Sequence, residues 1–196
     1  MLFRSISGWI NTLILGAYCG DAEVGIYSVI LKITNFANFV LMSVNGIATP
    51  KFAQLHKSGD QNGLQAYVKV TTKIIFWASA PILLFMFLFN DWLLSLFGAG
   101  FVAGSGALLI TTFGKLIGVF SGSTGNLLNM TGHQKDFRNI MTAATLLNIV
   151  LCMVLIPLYG LMGSAIASSA FIASWNIACV VYIRRKLGIR SYYSPF

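Results

Sequence analysis

Acidic side chains are scarce in this chain, which has five Asp and Glu residues against 13 Lys and Arg residues. All five lie in loops or at the ends of apolar segments, and the two histidines lie far apart in polar loops. No paired carboxylates, no nucleophile with a base and no cluster of metal ligands occur at a useful spacing. We therefore expect no enzymatic activity, no metal and no cofactor. The three cysteines have neither pairing nor metal-site spacing, which is typical of small packing residues.

Charged residues make up only 9% of the chain, whereas about 25% is usual for a soluble protein. Hydrophobic residues make up 57%, and the mean hydropathy is +0.78. This composition predicts a polytopic, all-α membrane protein. The net charge of +8 would indicate an anionic partner in a soluble chain, but here the basic residues cluster in a few loops. That clustering points to membrane topology and does not imply a nucleic-acid partner.

Six apolar segments predict six transmembrane helices that form a single bundle over residues 1–196. The segments are 5–20, 24–49, 71–88, 105–130, 139–158 and 163–183. We expect Pro50 to end the second helix and Pro81 to kink the third, because proline lacks a backbone N–H. The first segment is short for a crossing, which needs about 20 residues, so a cleaved signal peptide is an alternative. Tyr18 lies where a cleavage site needs a small side chain, which favours a retained helix.

The basic residues predict the orientation of these helices. Apart from Lys32 and Lys115, every Lys and Arg falls on one side of the bundle, and the loops on the opposite side contain none. Because positively charged loops stay in the cytoplasm, we expect both termini there. The polar connection 51–73 lies on the same side, and its SGDQNG sequence predicts a turn between two short interfacial helices. Its lysines are expected to contact the anionic headgroups of membrane lipids.

Topology leaves Lys32 and Lys115 unexplained, because both lie inside predicted membrane helices. Their helices run in the same direction, which puts the two lysines about 12 and 15 Å deep at 1.5 Å per residue. A lysine at the centre of a membrane helix costs roughly 2.5 to 3.5 kcal/mol, and such residues normally face a bundle interior or a water-filled cavity. No carboxylate in the sequence is an obvious partner for either lysine. We predict a shared, hydrated cavity that suits an anion; for Lys32, snorkelling toward the membrane surface is the alternative.

Each of these lysines belongs to a polar stripe on its helix. At 100° per residue, Lys115, Asn126 and Asn129 fall within about 60° of one another on the fourth helix. Lys32 shares a face of the second helix with Asn35. We therefore predict that all five side chains line the cavity.

The fourth segment also contains Gly114, Gly118 and Gly122, which form two overlapping GxxxG steps. Small residues at this spacing let two membrane helices approach closely. We expect this face to pack against another helix.

Several stretches resemble the carboxy-terminal half of bacterial polysaccharide flippases, which belong to the multidrug/oligosaccharidyl-lipid/polysaccharide flippase superfamily. The longest is NIVLCMVLIPLYGLMGSAIASSAF, with GNLLNMTGHQKDFRN before it and YIRRKLGI after it. Earlier in the chain, LILGAYCGDAEVGIYSVILKI is similar to the family's seventh and eighth helices, and LFGAGFVAGSGALLI to its ninth-to-tenth connection. The resemblance covers nearly the whole chain. Its motif residues are structural ones, namely Asn148, Pro157, Gly160, Gly163 and Ala167.

The resemblance implies a protein of the bacterial inner membrane that passes a polyprenyl-pyrophosphate-linked oligosaccharide from the cytoplasmic to the periplasmic leaflet. It also implies two six-helix bundles around a central cationic cavity, with Lys32 and Lys115 at places where cavity charges occur. The lysines would attract the pyrophosphate or acidic sugars, while Asn35, Asn126 and Asn129 would hydrogen-bond sugar hydroxyls. The lipid tail would stay in the bilayer among the membrane lipids.

The chain departs from this family in two respects. Family members often have an aspartate followed by a basic residue where this chain has Asn11 and Thr12, so ion coupling through that aspartate is not transferred to this chain. Members are also about twice as long, and alternating access needs a second six-helix bundle, from a missing amino-terminal half or from a second copy. Two alternatives stay open: a multidrug exporter of the same superfamily, which would use a carboxylate in its cavity, and a non-transporting membrane scaffold or truncated remnant.

Overall fold

The computed structural model describes residues 2–189, 191 and 192, with side chains from Trp9 onward. Within these residues the fold is entirely helical, which confirms the predicted all-α class. The α-helices are α1 (Leu2–Cys19), α2 (Asp21–Lys57), α3 (Gln61–Leu88), α4 (Asn90–Ser95), α5 (Ser105–Ser121), α6 (Thr124–Met130) and α7 (Gln134–Lys186), and a 3-10 helix at Ala99–Gly104 precedes α5.

Helix α7 is a hairpin of two helices that reverses at Gly160. This glycine has φ 51° and ψ −127°, a conformation that L-residues rarely adopt. Gly163, after this glycine, packs directly against the backbone carbonyl of Leu155, before it. A side chain at position 163 would therefore not fit. The side chain of Asn11 hydrogen-bonds both Asn148 and Ser168, which would be about 30 Å apart in a straight helix. The two halves, 134–159 and 161–186, are therefore antiparallel neighbours and contain the predicted fifth and sixth segments.

The chain is a multi-pass membrane protein. Four stretches of the described residues have the length and hydropathy to cross a membrane, and they are Asp21–Lys57, Gln61–Leu88, Ala99–Ser121 and Gln134–Lys186. The last of these contains both halves of the α7 hairpin, and α1 adds the shorter apolar helix Trp9–Cys19. Six crossings and their orientation stay predictions. Met1, Arg190 and residues 193–196, which enter the orientation argument, lie outside the described residues.

The prediction that the second helix ends at Pro50 is wrong, because α2 continues through this proline to Lys57. Pro50 removes the hydrogen bond to the Gly46 carbonyl, and membrane helices tolerate proline where local adjustments compensate for such a loss. One position before the proline, the Thr49 hydroxyl donates to the Asn45 carbonyl oxygen across 2.6 Å. The predicted connection 51–73 is consequently made of the end of α2 and the start of α3. Its turn falls at residues 58–60, as the SGDQNG sequence predicts, and Asp60 caps α3 by accepting from the Gly63 N–H.

The prediction of one continuous fourth helix over 105–130 is also wrong. The chain leaves helical geometry at Gly122, which has φ 69°, and resumes it in the short helix α6. Gly122 is pressed against the Thr72 side chain on α3, so this close approach leaves no room for a Cβ. Ser123 donates to Asn45 on α2 and thereby fixes the break against a second helix. Asn126 and Asn129 therefore lie on α6 and do not continue the stripe that contains Lys115.

The two largest of three hydrophobic clusters hold most of the bundle together. The larger one joins α1, α2, α3, α5 and α7 through fully buried residues that include Leu15, Ile30, Ile75, Leu108 and Ile156. The second core lies at the other end of the bundle, where the end of α2 and the start of α3 pack against α6 and the end of α7. Its buried residues include Phe52, Leu64, Leu128 and Ile183. A cavity lies beside these cores, between α1, α2, α5 and the second half of α7.

Candidate functional site

The cavity has a volume of about 590 Å³, which is in the range that takes a drug-sized ligand. Four helices contribute to its wall, and each contributes polar groups or glycine at the cavity face. Helix α1 provides Asn11 and Thr12, α2 provides Ser28, Asn35 and Asn38, α5 provides Lys115 and Gly118, and α7 provides Ser168 and Asn176. Such a polar lining between membrane helices is the environment in which an intramembrane lysine can keep its charge.

The charged group of the cavity contacts one asparagine on a neighbouring helix, and a second asparagine orients the first. The ammonium of Lys115 donates to Oδ1 of Asn38 across 3.3 Å. Nδ2 of Asn38 in turn donates to Oδ1 of Asn35 across 2.7 Å. Asn35 and Asn38 lie three positions apart on α2, so both face α5 from about the same side of the helix. On α2 the lysine thus contacts a neutral amide, Asn38, which Asn35 orients.

The cavity lining is electropositive. None of the described residues that line it is Asp or Glu, and Lys115 is the charged residue among them. The Asn38 oxygen that accepts from Lys115 belongs to a neutral amide. In a low-dielectric surrounding a positive charge attracts an anion much more strongly than it does in water. The chemistry of this end of the cavity therefore suits a phosphate, a pyrophosphate or an acidic sugar.

A buried hydrogen-bond network centred on Asn11 adjoins the cavity. Nδ2 of Asn11 donates to the Tyr27 hydroxyl at 3.2 Å and to Ser168 Oγ at 2.7 Å. Its Oδ1 accepts from Asn148 Nδ2 at 2.8 Å and from Cys152 Sγ at 3.0 Å. Asn11 thereby uses both of its N–H donors and both lone pairs. The network joins α1, α2 and both halves of α7, and a neutral amide occupies its centre.

Aromatic rings form part of the apolar cavity wall, beside aliphatic side chains such as Leu31 and Ile172. Phe171 and Trp175 lie one turn apart on the second half of α7, and Trp9 faces the cavity from α1. Trp9 is largely exposed at the cavity opening, whereas Phe171 is buried. The cavity therefore combines a cationic amide cluster with a flat aromatic surface.

The structure brings two of the five predicted site residues into the cavity, Lys115 and Asn35. Lys32 is exposed on α2 and does not line the cavity. It follows the lining residue Leu31 by one position, which turns its side chain about 100° around the helix. Asn126 and Asn129 are half-buried on α6, beyond the break at Gly122, and do not line the cavity either. The described cavity of this bundle therefore contains one of the two lysines, and a cavity that both share stays a prediction.

Comparison with known protein families gives a match to the MatE model over residues 1–154. That match covers well over half of the sequence. The chain belongs to the MatE family. This places it among the multidrug/oligosaccharidyl-lipid/polysaccharide flippases that the sequence motifs indicated.

Curated relatives of this MatE chain include proteins named for glycan or polysaccharide biosynthesis. A probable low-salt glycan biosynthesis flippase, Agl15 of Haloferax volcanii, is 21% identical over 95% of the chain and 40% of its own length. The capsular polysaccharide biosynthesis protein CapF of Staphylococcus aureus is 28% identical over 88% of the chain and 46% of its own length. An uncharacterized membrane protein of Methanocaldococcus jannaschii, MJ1068, is 23% identical over 83% of the chain and 32% of its own length. The MatE chain thus spans less than half the length of these relatives. No solved structure matches it.

Sequence reasoning missed Asn38 and the network around Asn11. Asn38 could have been found, because it lies three positions after Asn35 and therefore shares its helix face. The network could not, since Asn11, Asn148 and Ser168 are brought together only by the α7 hairpin. Glu23 of this chain also has a structural role that the sequence does not indicate. Its carboxylate accepts from the Leu161 N–H across 2.7 Å and caps the second half of α7.

Proposed function

We propose that this chain is one half of a membrane transporter that moves a lipid-linked oligosaccharide across the cell membrane. The observation that carries the proposal is the Lys115 ammonium, held by neutral amides in a cavity whose described lining contains no acidic residue. Membership of the MatE family and two relatives named for glycan flipping and capsular polysaccharide biosynthesis support the same class of cargo. A carboxylate-lined cavity, as expected for an exporter of cationic drugs, would have favoured the alternative.

In this proposal the protein acts by electrostatics and shape, and no covalent bond is made or broken. The cargo has the chemistry of a polyprenyl-pyrophosphate-linked oligosaccharide. Its phosphate groups lie beside Lys115 and Asn38, its sugars extend into the polar cavity, and its lipid chain stays between the bundle and the membrane lipids. Asn35 uses its oxygen to bind Asn38, which leaves its N–H donors for a sugar hydroxyl.

The second part of the proposal is a further six-helix bundle, from the other half of a longer chain or from a second copy. An exposed polar stripe along α2 supports it, because Lys32, Asn35 and Ser43 are all solvent-accessible on a helix of membrane-spanning length. Facing lipid with a lysine alone would cost roughly 2.5 to 3.5 kcal/mol. A second bundle would cover this stripe with protein and water. Lys32 then belongs to the space between the two bundles, where rocking of one bundle against the other gives alternating access.

The proposed location is the inner membrane, with both termini in the cytoplasm. The basic residues Lys51, Lys57, Lys69 and Lys73 support this orientation, since all four are exposed at the α2–α3 end of the bundle. The same end, residues 51–73, would lie at the cytoplasmic membrane surface, where lysines contact anionic lipid headgroups.

Glycan export by the complete two-bundle transporter tests the proposal. The variants are Lys115→Gln, Lys32→Gln and the double variant, expressed in cells that lack their own transporter, with membrane abundance measured by immunoblotting. We expect all three to insert normally, and we expect the double variant to abolish surface glycan while lipid-linked precursor accumulates inside. Unchanged export in the double variant would remove both lysines from the mechanism. Loss of resistance to cationic drugs, with normal glycan export, would instead favour a multidrug exporter.

A further inference from the structure

The aromatic wall of the cavity lies at the level of its cationic end. Helix α5 and the second half of α7 run side by side, because a Cβ at Gly114 would meet Ser169 and one at Gly118 would meet Ile172 and Asn176. The contact positions increase along both helices, from 114 to 118 on α5 and from 169 to 172 and 176 on α7. The two helices therefore run parallel. Lys115 follows Gly114 directly and is therefore level with the turn that begins after Ser169. That turn contains Phe171, and Trp175 follows it about one helical pitch, or 5.4 Å, further on.

Contacts with other helical segments hold the Trp175 ring in place. Its ring packs against Phe137 of the first half of α7 in an edge-on arrangement, with the ring centroids 6.2 Å apart and an interplanar angle of 74°. A Cβ at Gly125 on α6 would lie 3.7 Å from the same indole ring. Contacts from two other helical segments thus orient a side chain that also lines the cavity. An aromatic ring with this support is preorganised for a ligand.

The groups around Trp175 are those that recognise a sugar ring. A pyranose has an apolar face of C–H groups and a rim of hydroxyls, so it suits an aromatic plane bordered by amides. Trp175 and Trp9 provide indole rings in the cavity lining, while Asn35 and Asn38 provide the amides on the facing helix α2. An isoprenoid chain would also suit the aromatic rings. It would, however, place this amide border against hydrocarbon and leave its hydrogen-bonding groups unsatisfied.

We propose that Trp175, with Trp9 at the cavity opening, forms a subsite on which the first sugar ring of the cargo stacks while its phosphate binds Lys115. The inference rests on the proposed function and deepens it. It assigns the chemical class of the ligand as a pyranosyl 1-phosphate, with the two parts of the molecule bound by different helices. Lys115 of α5 and Asn38 of α2 bind the anion, and Trp175 of α7 binds the sugar face.

Calorimetric titration of the purified chain in detergent micelles tests this assignment with three ligands: inorganic phosphate, glucose 1-phosphate and geranyl phosphate. We expect glucose 1-phosphate to bind about tenfold more tightly than phosphate, which corresponds to ~1.4 kcal/mol. In the Trp175→Leu variant the ratio of the two affinities, glucose 1-phosphate over phosphate, should fall close to one. Trp175→Phe should keep part of the preference for glucose 1-phosphate. Trp77→Leu is the matched control, because Trp77 is an exposed tryptophan of α3 that does not line the cavity.

The outcomes separate the subsite from the anion site. If phosphate and glucose 1-phosphate bind the unmodified chain equally and Lys115→Gln weakens both, the sugar subsite is wrong and the anion site stands. If geranyl phosphate alone depends on Trp175, the wall binds the lipid chain and the proposal is overturned. If none of the three ligands binds, the subsite and the proposed cationic site fail together. Circular dichroism of each variant shows that it has folded, and Trp175→Phe gives the test a variant of similar shape.

Discussion

The ammonium of Lys115 on α5 lies 3.3 Å from Oδ1 of Asn38 on α2, and this contact joins residues 77 positions apart. It fixes the direction of the lysine, which points across the cavity and not along its own helix toward the membrane surface. A long, flexible side chain that is held in this way loses less freedom when it binds a ligand. The contact also makes Asn38 the residue that controls the charge of the site.

The Asn38→Asp substitution should neutralise the cavity. An aspartate here would form an ion pair with Lys115, and the pair would offer an anion little net attraction. We expect the affinity of the purified chain for inorganic pyrophosphate to fall at least about tenfold, or ~1.4 kcal/mol, in calorimetric titration. Asn38→Gln keeps a neutral amide and should retain most of the affinity. An Asn38→Asp variant that binds pyrophosphate as tightly as the unmodified chain would show that the anion binds elsewhere.

The Asn11→Leu substitution should destabilise the bundle. Leucine would remove four hydrogen bonds, those to Tyr27, Ser168, Asn148 and Cys152. At about 0.6 kcal/mol for each bond between membrane helices, the loss is roughly 2 kcal/mol. Thermal unfolding in detergent should then show a Tm lower by about 4–8 °C. Thr142→Val is the control, because this exposed threonine bonds only to the carbonyl of its own helix. Equal melting temperatures for the two variants would contradict a stabilising network.

The Gly160→Ala substitution should disturb the α7 hairpin. The residue has φ 51° and ψ −127°, and a Cβ there would lie 2.8 Å from Glu23 Oε2. Strain of this kind costs about 1–3 kcal/mol, and the carboxylate cap on Leu161 would be displaced as well. Gly25→Ala is the matched control, since Gly25 is helical and has open space around it. There, alanine should raise stability by about 0.5–1 kcal/mol. Thermal unfolding in detergent measures the Tm of the Gly160→Ala and Gly25→Ala variants. A similar change of Tm in both variants would refute the hairpin geometry.

Alanine substitution at Gly114 and at Gly118, both on α5, should affect stability differently. A Cβ at Gly114 would lie 2.8 Å from the Ser169 Cα, so Gly114→Ala must push α5 away from α7, at a cost of about 1–3 kcal/mol. A Cβ at Gly118 would meet its nearest neighbours at 3.5 Å, which is ordinary contact. Gly118→Ala should therefore raise the free energy of unfolding by about 0.5–1 kcal/mol, as at Gly25. Denaturant titration of both variants in mixed micelles measures the difference, and a larger loss at Gly118 would mean that the helices pack in another register.

Much of the fold follows from local sequence properties. Apolar stretches of membrane-spanning length and the turn at SGDQNG depend on a few neighbouring residues, and both are found in the described part of the chain. The two errors, at Pro50 and Gly122, have different causes. Pro50 stays in its helix, and Gly122 breaks one because of how it packs against Thr72 on α3. Sequence alone does not contain that contact.

The candidate site was predictable only in part, for a related reason. Helical phase places Lys115 and Lys32 on polar faces but does not say which neighbour each face meets. Lys115 and Asn35 meet in the cavity, while Lys32 lies outside it on the exposed stripe of α2. Asn126 and Asn129 were assigned to the same face as Lys115 on the assumption of one straight helix, which the break at Gly122 removes.

Movement of a fluorescent glycolipid across proteoliposomes that contain the complete two-bundle transporter tests the central claim most directly. The comparison is between a polyprenyl-pyrophosphate-linked sugar and the same sugar on neutral diacylglycerol, each with unmodified protein, Lys115→Arg and Lys115→Gln. The account predicts that the pyrophosphate-linked lipid crosses rapidly with the unmodified and Lys115→Arg proteins, and at the protein-free rate with Lys115→Gln. Equal transfer of both lipids by all three proteins would contradict an anionic cargo bound at Lys115.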